Sequence, residues 1–126
     1  MGRIRTGIIS CGKIAQLQHL PHLKELSDTF EISAICDLSE ELRGTIGDEY
    51  EVPGDRRYVD YKEMLASGLD AVVICNRGTH APQVIAAAGN WVDVLVETPL
   101  RINTREAAEI AAAVAGSGIT AMMAYP

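Results

Sequence analysis

The sequence predicts an α/β fold, a doubly wound parallel sheet of about six strands with helices on both faces, on three observations. Apolar runs of strand length alternate with helical patterns along the chain. One run, Leu69 to Cys75 (LDAVVIC), is apolar almost throughout, as happens where helices cover both faces of a parallel sheet. The first run breaks into the turn Ser10-Cys11-Gly12-Lys13-Ile14-Ala15, and the second ends in an acid, Asp37, 25 residues beyond Gly12.

Ile4 to Ile9 is the first strand, and the turn after it leads into a helix. Such a turn aims several backbone N–H groups and the positive end of a helix at one point, where a diphosphate can sit without a charged side chain. The pattern that serves this purpose is G-x-G-x-x-G/A; here Ser10 takes the first glycine position, Gly12 the second and Ala15 the last. Gly12 lets the backbone approach phosphates, and Ala15 is small enough for close helix-to-strand packing. Ser10 makes the turn without strain only if its φ is negative. Lys13 reads either as a phosphate neighbour or as a solvated side chain at the helix start.

Ile14, Leu17, Leu20, Leu23 and Leu26 recur at helical spacing, so an apolar stripe is expected, kinked near Leu20 by Pro21. His19 and His22 lie three apart, but no third ligand is evident and no metal site is expected. Glu31 to Asp37 is the second strand. An acid at its end is placed to accept hydrogen bonds from adenosine ribose hydroxyls, with a helix cap as the competing role. A carboxylate there repels a 2′-phosphate and no arginine follows directly, so NAD is expected in preference to NADP, although Arg43 is not far away.

Ser39 to Tyr50 reads as a helix with its own cap at Ser39, weakened by Gly44 and Gly47. Pro53-Gly54-Asp55 is a turn, Arg57 to Val59 a short edge strand, and Asp60 caps a helix to Ala66. After the fourth strand, Leu69 to Cys75, Asn76 to His80 form a loop and Ala81 to Gly89 a small-residue helix. Trp91 to Glu97 is the fifth strand, again ending in an acid. Asn103 and Glu106 form a capping box for a helix from Thr104 to Ala115, which Gly116 and Gly118 stop before a last strand, Ile119 to Ala124. The simplest arrangement is the Rossmann-type order 3-2-1-4-5-6. It brings Ser10 to Lys13, Asp37, Asn76 to His80 and Glu97 to Pro99 to the carboxyl end of the sheet, where the order reverses.

With 126 residues, one domain is expected; 11 basic against 17 acidic residues give a charge of −6, and no basic run is longer than Arg56-Arg57. Nucleic acid is therefore not an expected partner. No segment has the roughly 18 consecutive apolar residues of a membrane span, and a cytoplasmic protein is expected. Cys11, Cys36 and Cys75 lack C-x-x-C spacing and read as small buried residues; Cys75 has no local base that would make it a nucleophile. Trp91, Met122, Met123 and Tyr125 fall on the last two strands, and a homodimer covering that apolar edge is expected.

Taken together, GIISCGKIA, AICD, DYKEML, LDAVVIC followed by THAPQVIAAA, and VLVETPL resemble the N-terminal domain of the glucose-fructose oxidoreductase, inositol dehydrogenase and MocA family. The resemblance implies a Rossmann domain binding NAD or NADP, spanning residues 1–121, with residues 122–126 opening the linker to a larger substrate domain absent from this chain. It implies an oxidoreductase acting on a sugar, polyol or related small hydroxy compound. It places Gly12, Lys13 and Ile14, with Ser10 and Cys11 in the same turn, at the diphosphate, and Asp37 at the adenosine ribose. Cys75, Asn76 and His80 border the cofactor, and Glu97 lies near the nicotinamide ribose. Where the family has Glu-Lys-Pro, this chain has Glu97-Thr98-Pro99, so Thr98 stands by the nicotinamide without a lysine's charge or proton, and no catalytic residue is assigned. Weak NAD binding and little turnover are expected of the chain unless a second domain or a partner chain supplies a substrate pocket. A non-catalytic nucleotide-binding or assembly module is the alternative, and a methyltransferase ranks below both.

Overall fold

A computed structural model describes residues 2–98 and 103–124 of the chain. Six parallel strands form one sheet: β1 (Ile4–Ile9), β2 (Phe30–Cys36), β3 (Arg57–Tyr58), β4 (Ala71–Ile74), β5 (Asp93–Glu97) and β6 (Ala121–Ala124). Their order is β3-β2-β1-β4-β5-β6, so the winding reverses between β1 and β4. The register runs from Thr6 opposite Ala71 to Ile9 opposite Ile74, which brings the ends of both strands to the same edge. The expected fold class and strand order are both observed.

The sheet is covered on both faces, as the apolar fourth strand predicted. Val72 and Ile74 join Met64, Leu65, Val84 and Ala87 on one side, while Val73 and Cys75 join Leu20, Ile46 and Val52 on the other. Alternate residues of one strand thus enter two separate cores. The helices are α1 (Leu20–Glu25), α2 (Glu40–Glu49), α3 (Tyr61–Leu65), α4 (Ala81–Gly89) and α5 (Thr104–Ser117). Local chemistry sets their ends. Ser39 Oγ accepts from Leu42 N–H, Asp60 from Lys62 N–H, and Asn103 and Glu106 form the expected capping box. Gly118, at φ 76°, ends α5 in the left-handed conformation that favours glycine; Gly116 lies inside the helix and does not stop it.

The first helix departs from expectation. Instead of a kinked α-helix, residues Ala15–His19 are π-wound, closed by the Leu20 N–H on the Ala15 carbonyl, and Pro21 then sits in the first turn of α1. The apolar stripe is not formed either: Leu20 is buried, but Leu17 and Leu26 are exposed. A spacing of three falls about 60° short of a full turn at each step, so the five residues spiral around the axis instead of sharing a face.

At the far edge β6 ends at Ala124, as expected, but starts at Ala121, two residues after Ile119. Trp91 and Met122 are exposed, whereas Met123 packs against the core, so the expected apolar cluster is split. Tyr125 lies outside the described residues.

Candidate functional site

At the reversal point the turn after β1 and the loop after β4 face a crevice of about 900 Å³. Nine of the eleven residues singled out from the sequence line it: Ser10, Gly12, Lys13, Ile14, Cys75, Asn76, His80, Glu97 and Thr98. Cys11 and Asp37 do not. Cys11 is fully buried beneath the turn, with its thiol in the core, and Asp37 stands beside it at the end of β2. Leu17, Gln18, Arg77 and Gly78 also line the crevice. Arg77 and Gly78 belong to the Asn76 to His80 loop that the sequence brings to this end without singling them out; Leu17 and Gln18 were not expected here, and no signal in the sequence marked them.

The turn is tightly bound to β2. Ser10 N–H donates to the Cys36 carbonyl (2.8 Å), and Cys11 N–H donates to Asp37 Oδ2 (2.8 Å), while Asp37 Oδ1 accepts from Ser39 N–H (2.8 Å). Gln16 Nε2 closes the other side by donating to the Cys11 carbonyl (2.8 Å). Asp37 therefore ties the turn to the start of α2, a cap-like role that the sequence offered, and it also anchors the turn, which the sequence did not suggest. Each of its oxygens keeps a further lone pair. Ser10 has φ 74°, the strained case, which costs on the order of 1 kcal/mol and persists because bonds on both sides fix it. Gly12 behaves differently: a Cβ built on it would meet no atom within 4 Å. No contact within the described residues demands a glycine there, and the space above it is open.

On the opposite side, Asn76 Nδ2 donates to the carbonyls of Arg77 (3.2 Å) and Thr79 (3.4 Å). His80, 1% exposed, has Nε2 2.5 Å from the Asn76 carbonyl, and since a carbonyl only accepts, Nε2 carries the proton. Asn76 Oδ1 and His80 Nδ1 are buried without partners. Thr79 Oγ1 ties the loop to α5 by donating to Glu106 Oε2 (2.9 Å). At the end of β5, Glu97 Oε1 lies 2.5 Å from His19 Nε2.

Burial pushes the Cys11 and Cys36 thiols up to about 12, with the Asp37 charge adding to it in both. Burial also raises the Cys75 thiol well above its ordinary range, the nearby Glu97 charge contributing second. All three cysteines are free and buried, which fits packing and not nucleophilic roles. Among the described residues no group of three or more His, Cys, Asp or Glu could hold a metal ion, and no helix is long and apolar enough to cross a membrane.

A parallel sheet reversed between β1 and β4, with a glycine turn at that point and an acid at the end of β2, defines a dinucleotide-binding domain of the Rossmann type. Comparison with known proteins gives the family. Residues 4–125 match an oxidoreductase family with an NAD-binding Rossmann fold, and the chain belongs to this family, that of glucose-fructose oxidoreductase, inositol dehydrogenase and MocA. D-xylose 1-dehydrogenase (NADP(+)) 2 of Haloferax volcanii is 31% identical over 121 residues, covering 94% of this chain and 36% of that protein. The WlbA dehydrogenase of Bordetella pertussis, solved in complex with NADH and UDP-GlcNAcA, is 25% identical with a TM-score of 0.88, over 98% of this chain and 37% of that one. Myo-inositol 2-dehydrogenase of Lactobacillus plantarum shares the fold (TM-score 0.88, 23% identity, 98% of this chain and 36% of that one). The chain thus spans little more than a third of the length of these proteins, and it corresponds to the NAD(P)-binding part of the family.

Proposed function

We propose that the chain is the cofactor-binding part of a longer oxidoreductase that passes hydride between a nicotinamide dinucleotide and a sugar, polyol or related small hydroxy compound. The observation that carries this reading is the crevice at the β1/β4 reversal, lined by the glycine turn with open space above Gly12. The diphosphate lies on the turn of Ser10, Gly12, Lys13 and Ile14, where the backbone N–H groups of Gly12, Lys13 and Ile14 open the helix toward it. The adenosine ribose lies at Asp37, where the two remaining lone pairs accept its hydroxyl hydrogens. Cys75, Asn76 and His80 border the ligand, and Glu97 and Thr98 stand at its nicotinamide end. The cofactor supplies hydride chemistry; this chain's residues bind it, orient it and close one side to water.

NAD is preferred to NADP. A 2′-phosphate would meet the Asp37 carboxylate, and the Arg43 guanidinium that could offset it is engaged through Nη1 by the carbonyls of Asp37 (2.8 Å) and Leu38 (3.2 Å). The similarity to an NADP-dependent xylose dehydrogenase argues the other way, so the test must include both cofactors. The hydroxy compound, the second domain that surrounds it and any pairing of two copies belong to the proposal, supported by sugar-dehydrogenase relatives and by the exposed Met122 on the edge strand. A non-catalytic nucleotide-binding module is the second reading, favoured by Thr98, whose hydroxyl supplies neither the charge nor the proton of a lysine. Calorimetric titration with NAD and with NADP, on the parent chain and on Asp37→Ala, tests the reading. Saturable NAD binding that weakens in the variant is expected; no binding of either dinucleotide would overturn it.

A further inference from the structure

A histidine and a carboxylate 78 residues apart meet at the end of the crevice. Glu97 closes β5 and lines the crevice, and His19 closes the π-wound turn that follows the glycine turn. Their side chains are only 15% and 17% exposed, and the ring Nε2 lies 2.5 Å from Oε1. His19 is the last residue of the π turn, and Pro21, lacking an N–H, sits in the first turn of the α-helix that follows. A functional side chain at such a bulge is a recurrent pattern.

A glutamate at the end of a strand would ordinarily sample several rotamers and lose that freedom on binding a ligand. With Oε1 engaged by His19, the carboxylate is fixed in advance and Oε2 remains as an acceptor. An ionised carboxylate oxygen suits a hydroxyl donor and repels a phosphate, which sets the nearby chemistry apart from that at Gly12. We propose that His19 is a positioning residue: it holds Glu97 so that Oε2 presents a fixed acceptor to a hydroxyl of the nicotinamide ribose. This inference rests on the dinucleotide reading above.

The test is calorimetric titration with NAD and with 5′-AMP, which lacks the nicotinamide half, on the parent chain, His19→Ala, His19→Gln and Glu97→Ala. His19→Ala is expected to weaken NAD binding about tenfold and to leave 5′-AMP binding unchanged. His19→Gln, whose amide N–H can still reach Oε1, keeps most of the NAD affinity, and His19→Ala adds nothing further in the Glu97→Ala background. Unchanged NAD affinity in His19→Ala, equal losses for NAD and 5′-AMP, or no rescue by glutamine would each overturn the proposal. Should His19→Ala not fold, Glu97→Ala carries the same comparison, with the same selective loss expected and an unselective or absent loss overturning it. A parent chain that binds neither ligand ends the dinucleotide reading itself; one that binds both, with His19→Ala unaffected, ends this inference alone.

Discussion

On the β1 side of the crevice several polar groups of the turn are taken up by the chain itself, through Ser10 N–H on Cys36, Cys11 N–H and Ser39 N–H on Asp37, and Gln16 on the Cys11 carbonyl. On the β4 side, Asn76 Oδ1 and His80 Nδ1 are buried with nothing to accept from. Folding alone therefore fixes the shape of one side, and it even holds a serine in a left-handed conformation there. The other side keeps unmade hydrogen bonds, each costing roughly 1–3 kcal/mol while unmade. The β1 side is thus shaped before any ligand arrives, while the β4 side still has bonding capacity to offer.

The largest expected effect comes from breaking the β1 side. Asp37→Ala leaves the amides of Cys11 and Ser39 without their acceptor and should lower stability by about 2 kcal/mol, read from urea denaturation; a loss below about 0.5 kcal/mol would show that the anchor matters little. Gly12→Ala sharpens the contrast between fold and ligand. Because its Cβ meets no protein atom, stability should stay within about 0.5 kcal/mol of the parent, while NAD affinity falls at least about tenfold as the methyl group fills the open space above the turn. Parallel loss of both would mean that Gly12 is needed by the fold.

Ser10→Gly has a smaller effect of the opposite sign. Relief at φ 74°, less the extra backbone entropy that glycine loses on folding, should stabilise the chain by about 0.5 kcal/mol, and a destabilised variant would show that the serine conformation is not strained. The smallest effect lies far from the crevice. The Arg5 hydrogen bonds hold the Asp70 carboxyl below its ordinary value of 3.8, so the pair contributes stability above about pH 4 that is lost as pH falls through the lowered native value. Both side chains are exposed, and solvent screening keeps the contribution small. Asp70→Asn should slightly flatten the acid side of a pH-stability profile and leave NAD binding unaltered.

Much of this was legible because it is local or strongly patterned. Caps at Ser39, Asp60 and Asn103 follow from side chains within three residues of the amides they bind, and the strand order follows from alternation and crossover handedness. Gly12 and Asp37 were readable from a turn and a spacing. What stayed hidden depends on contacts between distant residues. His19 and Glu97 carry no mutual signal across 78 positions, and a π-wound turn has no side-chain period that separates it from an α-helix broken by proline. The strain at Ser10 could be posed as a question of φ but not answered, since its sign is set by bonds to β2.

Thr6 and Ala71, the first matched pair of β1 and β4, are 65 residues apart, whereas β1 and β2 pair across about 26. The longer loop costs more entropy to close, and closing it brings the two walls of the crevice together. A chain with only its first half in order has the turn at Gly12 but nothing facing it.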